Sequence, residues 1–153
     1  IYPTWNGGGT IKVVIIDSDY KKPTDELIEV VQNQIDPVKQ SGEGYGIAPI
    51  GHVVTVAGVE DTIVNISATI TYQTGYTFDN VRSYIQKAID DYLLELAKEW
   101  DKENTLVVRI SQIEYRLLNV TGIVDISGTT INGEAVNLVL NDNNIPVRGT
   151  VSG

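Results

Sequence analysis

Residues 64–72 have the sequence VNISATITY, and this stretch decides the fold class of the chain. Valine, isoleucine, alanine and tyrosine occupy alternate positions, and asparagine, serine and threonine fill the positions between them. A period of two is typical of an antiparallel β-strand that buries one face and turns the other towards water. The stretch therefore predicts a strand with one apolar face and one face rich in hydroxyl groups.

Two amphipathic helices are predicted after this strand. Thr77 can cap the first helix, and the apolar side chains between Phe78 and Trp100 keep to one side of it. Ser111 and Glu114 have the spacing of a capping box, which predicts a second, shorter helix. Because each helix has one apolar side, we expect both to pack on the same sheet.

Hairpins are predicted on both sides of the helices. Residues 52–59 precede the 64–72 strand and would pair with it. Asn132-Gly133 is typical of a two-residue hairpin turn, and residues 123–131 and 135–140 flank it. The predicted order is therefore β-β-α-α-β-β, with antiparallel β-hairpins and two helices packed on the sheet. That order belongs to the α+β class.

The first part of the chain predicts a separate hairpin and helix. Residues 1–5 and 10–17 flank a run of three glycines and form the hairpin, and a helix follows. Glycine and proline are then frequent in residues 38–50, so we place a domain boundary near residue 46. We therefore expect a hairpin-plus-helix piece at residues 1–46 and a C-terminal α+β domain at residues 47–153. The absence of methionine, even at the first position, is expected of a fragment of a longer protein.

The charge of the chain limits the classes of partner. It carries 11 lysines and arginines against 20 aspartates and glutamates, which gives a formal net charge of −9 at pH 7. A nucleic-acid-binding protein normally presents a basic stripe, and a peripheral membrane protein a basic amphipathic helix. Neither occurs in this sequence, and the absence of cysteine excludes disulfides and cysteine-bound metal. We expect no nucleic-acid partner, no membrane partner and no small-molecule substrate.

Polar residues provide few candidates for catalysis. His52 is the single histidine, and no G-x-S-x-G motif supplies a nucleophile for it. Asp17 and Asp19 lie at the end of a strand, where carboxylates often bind a divalent metal ion, but aspartate is also a common turn former. Asp90 and Asp91 are adjacent in a helix and point in different directions. We favour structural roles for all five residues.

Two glycine clusters are weak candidates for phosphate binding. Neither the cluster at residues 7–9 nor the one at residues 42–46 leads into a helix N-terminus, which is where phosphates bind. The second cluster also lacks the lysine of a P-loop. Both clusters are therefore predicted to be turns.

Three tyrosines are candidates for sugar binding, because aromatic rings stack on sugars. Tyr45, Tyr72 and Tyr76 could line such a platform, although tyrosine serves core and interface packing equally well. The residues thus predict no catalytic, cofactor-binding or metal-binding site. They favour a structural or interaction module over an enzyme.

Several segments resemble, in the right order, the C-terminal portion of the phage baseplate J-like wedge proteins. The longest is GEGYGIAPIG followed by HVVTV at residues 42–56. The ordered set extends over nearly the whole chain, although His52 stands where a small residue is expected in the family. The matching segments are residues 2–10, 12–17, 35–37, 42–56, 110–114, 122–126, 132–133 and 145–149.

The resemblance implies a structural component of a phage or prophage tail baseplate, assembled in the cytoplasm of a bacterial host. Such a wedge subunit assembles around the tail hub with other wedge and hub proteins and with copies of itself. The resemblance also implies that residues 1–46 are a truncated middle-domain fragment. The family has no defining catalytic residues, so the resemblance implies no enzyme activity and no cofactor. The alternatives are a carbohydrate-binding or receptor-binding module of a phage tail and a metal-dependent hydrolase around Asp17 and Asp19.

Contacts with neighbouring subunits are expected in the last part of the chain. Residues 123–140 and the terminal tail, residues 141–153, are predicted to carry them, because main-chain pairing at an edge strand is one way in which subunits join. Deletion of residues 141–153 should then impair particle assembly.

Overall fold

The computed structural model describes residues 1–103 and 105–153, and the chain divides into two compact units. The first unit is Ile1–Glu60 and the second is Asp61–Gly153. Each unit combines helix with strand, so the predicted α+β class is confirmed. Among the described residues, no helix has both the length and the hydropathy of a membrane span.

The first unit is a three-stranded sheet with one long helix. Strands β1 (Tyr2–Pro3) and β2 (Thr10–Ile15) form the predicted antiparallel hairpin. Helix α1 (Asp25–Ile35) follows, and a single turn of 3-10 helix at Val38–Gln40 leads into a loop. Strand β3 (Val53–Gly58) then lies beside β2 and parallel to it.

The hairpin predicted between residues 52–59 and 64–72 does not form, because β3 pairs with β2 instead. Parallel strands require a long crossover connection, and helix α1 supplies it between β2 and β3. The amide of Val53 donates a hydrogen bond to the carbonyl oxygen of Gly9 at 2.9 Å, at the start of the parallel pair. Strand β3 is therefore part of the first unit.

The division between the units consequently falls after Glu60 rather than near residue 46. The glycine-rich segment at residues 41–46, which predicted the earlier boundary, is a loop inside the first unit. A segment rich in glycine and proline indicates a loop, but it does not indicate whether the loop lies within a unit or between units, because glycine occurs in tight turns of both kinds.

The second unit is organised around strand β4 (Glu60–Tyr72), the central strand of a three-stranded sheet. Strand β6 (Ile123–Ile131) is antiparallel to β4 on one side, and strand β8 (Asn144–Ser152) lies on the other. Both edges of β4 are thus paired, which suits the longest strand of the unit.

Two helices and a short strand pair complete the second unit. Helix α2 (Phe78–Lys98) contacts β8, and helix α3 (Ile110–Leu118) contacts β6, as expected of helices that pack on the sheet. Strands β5 (Val107–Val108) and β7 (Leu138–Val139) pair with each other in an antiparallel sense. The sheet and the two helices enclose the core of the unit.

The alternation predicted for residues 64–72 is confirmed. Val64 and Ile66 are buried, whereas Asn65 and Ser67 are exposed. Burial of one Val, Leu or Ile side chain contributes roughly 1.5–3 kcal/mol, so this core is the main source of stability. The buried core residues are Val64, Ile66, Val81, Ile85, Ile89, Tyr92, Leu93, Leu106, Val108, Ile113, Leu117, Ile123, Ile131 and Leu140.

The second predicted hairpin does not form, although its turn does. Asn132 and Gly133 both have positive φ, 52° and 85°, as a type I′ turn requires. Beyond a single bridge the chain leaves β6, and β7 pairs with β5. The amide of Leu140 donates to the carbonyl oxygen of Leu106 at 2.9 Å, and both leucines are buried in the core. The free energy gained by burying these two leucines therefore exceeds the gain from pairing residues 135–140 with β6.

Helix α3 begins earlier than predicted and has a different cap. Its N-cap residue is Arg109, whose side chain makes no capping hydrogen bond. The amide of Ile110 donates instead to Oδ1 of Asn137 at 3.0 Å, and the amide of Arg109 donates to the hydroxyl of Tyr92, also at 3.0 Å. The amides at the start of α3 are thus bound by Asn137 and Tyr92, which are distant in sequence, and not by Ser111.

The capping arrangement predicts different effects for two alanine substitutions. We expect Asn137→Ala to lower the free energy of unfolding of the second unit by about 1 kcal/mol, because the Ile110 amide loses its acceptor. Ser111→Ala should change it by less than about 0.5 kcal/mol. Urea unfolding followed by the fluorescence of Trp100, in a Trp5→Phe background, measures the second unit. A greater loss in Ser111→Ala would contradict the assignment and restore the serine as the cap.

Candidate functional site

The first unit exposes large apolar side chains in the loop between α1 and β3. Val38, Tyr45, Ile47 and Ile50 are 68–79% exposed. We call residues 37–52 the apolar loop. Single exposed apolar residues are common on protein surfaces, but several in one segment indicate an interaction site.

A buried carboxylate holds the start of the apolar loop. Asp36 follows the last residue of α1 and is only 1% exposed. Its side chain accepts hydrogen bonds from the hydroxyl of Ser41 at 2.6 Å and from the amides of Gly42 at 2.9 Å and Val54 at 2.8 Å. Asp36 therefore joins the end of the helix, the loop and strand β3.

Gln32 lies one helical turn before Asp36 and completes this arrangement. Its Nε2 donates to the carbonyl oxygens of Asp36 at 2.7 Å and Val54 at 2.8 Å, and its Oε1 accepts from the amide of Val56 at 2.7 Å. Together the two side chains occupy the edge of β3 that faces away from β2. They take the place of a further strand and protect that edge from pairing with another chain.

Close contacts with the end of α1 fix the middle of the loop. The amide of Ile47 donates to the carbonyl oxygen of Gln34 at 3.0 Å, and that of Ala48 donates to Ile35 at 2.9 Å. A Cβ atom on Gly46 would collide with the same carbonyl of Ile35, so only glycine fits there. The loop therefore has a defined backbone that presents its apolar side chains to solvent.

The hydrogen bonds to Asp36 also set its ionisation. Burial alone raises the pKa of a carboxyl group, but the bonds from Ser41 and from the amides of Val54 and Gly42 outweigh burial here. The pKa of Asp36 is therefore held below its ordinary value of 3.8. The carboxylate is charged at neutral pH and accepts all three bonds.

Asp17, a candidate metal ligand, has the turn-forming role that the sequence favoured. Its Oδ1 accepts hydrogen bonds from the amides of Asp19 at 2.8 Å and Lys21 at 2.7 Å. Within residues 1–103 and 105–153, no group of three or more His, Cys, Asp or Glu side chains is placed to hold a metal ion. The geometry at Asp17 is accounted for by the turn.

The helix carboxylates diverge, as predicted, and each has its own cationic partner. Asp90 accepts a hydrogen bond from Nε of Arg148 at 2.6 Å, and Asp91 accepts from Nζ of Lys87 at 2.6 Å. The two carboxylates therefore do not converge on one site. His52 lies exposed just before β3, in the first unit.

Both glycine clusters form turns, as predicted. The cluster at residues 7–9 connects β1 to β2, and two of its glycines have φ of 96° and 77°. The cluster at residues 42–46 lies in the apolar loop, where the amide of Gly42 is already bound to Asp36. The amide of Gly42 is therefore not available to a phosphate.

The three tyrosines that were alternatives for sugar binding have different surroundings. Tyr45 lies in the first unit, whereas Tyr72 and Tyr76 lie in the second. The hydroxyl of Tyr72 is buried without a hydrogen-bond partner among the described residues, and burial raises its pKa. Tyr76 lines a groove together with Tyr84, a residue that the sequence did not single out because it falls within a helix.

This second feature, which we call the tyrosine groove, lies between the first half of α2 and the turn after α3. Its volume is about 520 Å³, within the range of small-molecule sites. The side chains that decide its chemistry are Tyr76, Asn80, Tyr84, Lys87, Asp91 and Asn119. The structure thus offers two candidate surfaces, the apolar loop on the first unit and the tyrosine groove on the second.

Two consecutive family models match this chain. The Baseplate J-like central domain matches residues 1–58, and the Baseplate J-like protein C-terminal domain matches residues 64–153. The gap between the two matches contains the division between the two compact units.

Two relatives from Bacillus subtilis (strain 168) match along the chain. The Phage-like element PBSX protein XkdT is 38% identical over 151 residues, and the Uncharacterized protein YqbT is 36% identical over 152 residues. Each alignment covers 99% of this chain but only 41% and 42%, respectively, of the relatives. The chain therefore spans less than half the length of these relatives.

A chain in the cryo-EM structure of the anti-feeding prophage (AFP) baseplate, 6-fold symmetrised, has a similar fold. The TM-score is 0.56 with 8% sequence identity, and the match covers 94% of this chain and 30% of that chain. At this identity the likeness concerns the fold alone.

The buried carboxylate predicts a pH-dependent contribution to stability. We expect Asp36→Asn to lower the free energy of unfolding of the first unit by about 2 kcal/mol at neutral pH, because an amide group turns a donor towards groups that need an acceptor. Since the folded pKa is depressed, the wild-type advantage is complete above the ordinary value of 3.8 and disappears as the pH falls through the folded pKa.

Urea unfolding followed by the fluorescence of Trp5, in a Trp100→Phe background, measures this advantage as the pH is lowered. Ser41→Ala is a milder companion variant that removes one of the three donors but keeps the charge. A stability difference between wild type and Asp36→Asn that stayed constant into strong acid would show that the charge of Asp36 does not matter.

Proposed function

This chain belongs to the baseplate J-like family, and on that premise we propose that it is a wedge subunit of a phage or prophage tail baseplate. The observation that carries the proposal is the succession of two baseplate J-like domains along the chain, at residues 1–58 and 64–153. The relative named as a phage-like element protein supports the same role. The proposed role is structural and not enzymatic.

The proposed mode of action is protein–protein assembly around the tail hub. Its partners are other wedge and hub proteins and further copies of the same chain. Its location is the tail baseplate of the virion, after assembly in the cytoplasm of the bacterial host. Because the chain spans less than half the length of these relatives, the partners and location named here are part of the proposal.

We propose the apolar loop as a surface through which the first unit binds another baseplate protein. Tyrosine and isoleucine side chains that project from a fixed backbone lose little conformational freedom on binding, and such anchors dominate protein interfaces. Only Lys39 and Glu43 are charged between residues 37 and 51 in a chain with a net charge of −9, which favours an apolar cleft on the partner over an ionic surface.

Residues 123–140 and the terminal tail, residues 141–153, stay proposed as further contacts. Val136 and Val139 are exposed near β7 and support a surface there. Deletion of residues 141–153 would be a poor test, however, because Ile145 and Pro146 are buried and β8 is an edge strand of the sheet. Loss of assembly in that variant would reflect unfolding of the second unit.

Affinity purification from the bacterial host tests both the role and the surface. We expect the tagged protein, expressed under prophage induction, to recover tail and baseplate proteins that mass spectrometry identifies. The triple variant Tyr45→Ser, Ile47→Ser, Ile50→Ser should lose at least one of them, because the partner cleft loses its apolar anchors. Val30→Ser is the matched control, since Val30 is 54% exposed on α1 outside the loop.

The outcomes separate the two proposals. If the wild-type protein recovers no tail protein, the baseplate role is wrong. If the wild type recovers tail proteins and the triple variant recovers the same set in the same amounts, the role stands and the apolar loop is not the contact. Circular dichroism and thermal unfolding of the purified variants show whether a loss of recovered tail proteins is due to misfolding of the variant.

A further inference from the structure

We propose that the tyrosine groove of the second unit binds a neutral oligosaccharide. This activity goes beyond assembly, because its ligand is a carbohydrate and the lining residues of the groove lie outside the segments proposed for assembly contacts. Three properties of the groove carry the proposal: two tyrosine rings, two fixed amide side chains and a balanced charge.

The two rings provide surfaces on which a sugar can stack. Tyr84 is 65% exposed on α2, so most of its ring is open to a ligand. Tyr76 lies in the turn before α2, and its ring is packed against Gly122 so closely that a Cβ atom on the glycine would overlap it. One ring is thus held in place by the backbone, and the other is available at the groove surface. Aromatic rings of this kind combine a large apolar area with a polar hydroxyl group.

Two asparagine side chains are oriented by hydrogen bonds to the backbone. Oδ1 of Asn80 accepts from the amide of Thr77 at 2.8 Å, and its Nδ2 donates to the carbonyl oxygen of Gly75 at 3.5 Å, which leaves one N–H for a ligand. Nδ2 of Asn119 donates to the carbonyl oxygen of Tyr115 at 2.7 Å, which leaves its Oδ1 to accept. The groove therefore presents a donor on one amide and an acceptor on the other. A sugar hydroxyl both donates and accepts, so it matches this pair.

The charges at the groove cancel. Nζ of Lys87 lies 2.6 Å from Oδ2 of Asp91, and both groups face solvent. A phosphate or a polyanionic ligand would find no excess positive charge in the groove, because Asp91 neutralises Lys87. The net charge of the whole chain, −9, would also repel it. The geometry therefore favours an uncharged ligand with many hydroxyl groups over a nucleotide or a nucleic acid.

A bound peptide helix is the competing occupant, and the composition of the groove disfavours it. Grooves that bind amphipathic helices present a continuous apolar floor to residues spaced along one helical face. Here the amides of Asn80 and Asn119 and the Lys87–Asp91 pair interrupt the apolar lining. A ligand that forms hydrogen bonds along its whole length fits better.

Titration of the ¹⁵N-labelled chain with neutral oligosaccharides tests the proposal. The probes are cellotetraose, maltotetraose and tetra-N-acetylchitotetraose, with a heparin tetrasaccharide as the anionic comparison and an amphipathic Leu/Lys helical peptide as the peptide comparison. We expect at least one neutral sugar to bind and to shift the side-chain amide signals of Asn80 and Asn119 in particular.

Three variants assign the binding to the groove. Tyr84→Ala should weaken the sugar by about tenfold or more, because it removes the stacking surface. Tyr84→Phe keeps the ring and should restore most of the affinity. Tyr115→Ala is the matched control, since Tyr115 is 64% exposed on α3 and does not line the groove.

Each remaining outcome would overturn the proposal. Absence of binding by all three neutral sugars would reject it, and so would equal weakening in Tyr84→Ala and Tyr115→Ala. Binding of the heparin fragment alone would show that the ligand is anionic. Shifts of the Asn80 and Asn119 signals by the peptide alone would make the groove a protein contact. Recovery of tail proteins in the purification experiment is independent of all these results.

Discussion

The backbone N–H and C=O groups of a buried strand need hydrogen-bond partners, and this constraint governs strand pairing in both units. In the second unit it is met by strands, because β4 lies between β6 and β8. In the first unit β3 has a strand on one side only, and the side chains of Gln32 and Asp36 bind the groups on its other side. Gln32 in the last turn of α1 and Asp36 just after the helix thus take the place of a strand beside Val54 and Val56.

The replacement has consequences for how the first unit can meet other proteins. Lateral growth of its sheet at β3 is blocked where Val54 and Val56 are already bound. The same carboxylate fixes the loop that follows α1, so the surface beside the blocked edge is an ordered set of apolar side chains. In the proposed assembly role this combination would prevent unspecific strand pairing and supply the proposed contact in a preformed state.

Turns and local carboxylate roles followed from the sequence. Asp17 forms a turn because aspartate readily accepts from the amides that follow it, which requires no distant partner. Asp90 and Asp91 diverge because neighbours on a helix project in different directions. The ordered segments of the chain likewise indicated the family to which it belongs. In contrast, the roles of Asp36 and Tyr84 had no local signal, since the first depends on a strand 18 residues away and the second on the turn after α3.

The sequence alone determined where strands and helices form, because apolar periodicity and turn residues act over a few positions. It predicted the two-faced strand at residues 64–72, the long helix after Thr77 and the turn at Asn132-Gly133. The tertiary structure decided which strands pair, since backbone hydrogen bonds are the same for every residue and do not encode a partner. It also decided that Asn137 caps α3, 27 residues away from Ile110. Burial of the core brings such distant groups together, and only that packing determines which of them meet.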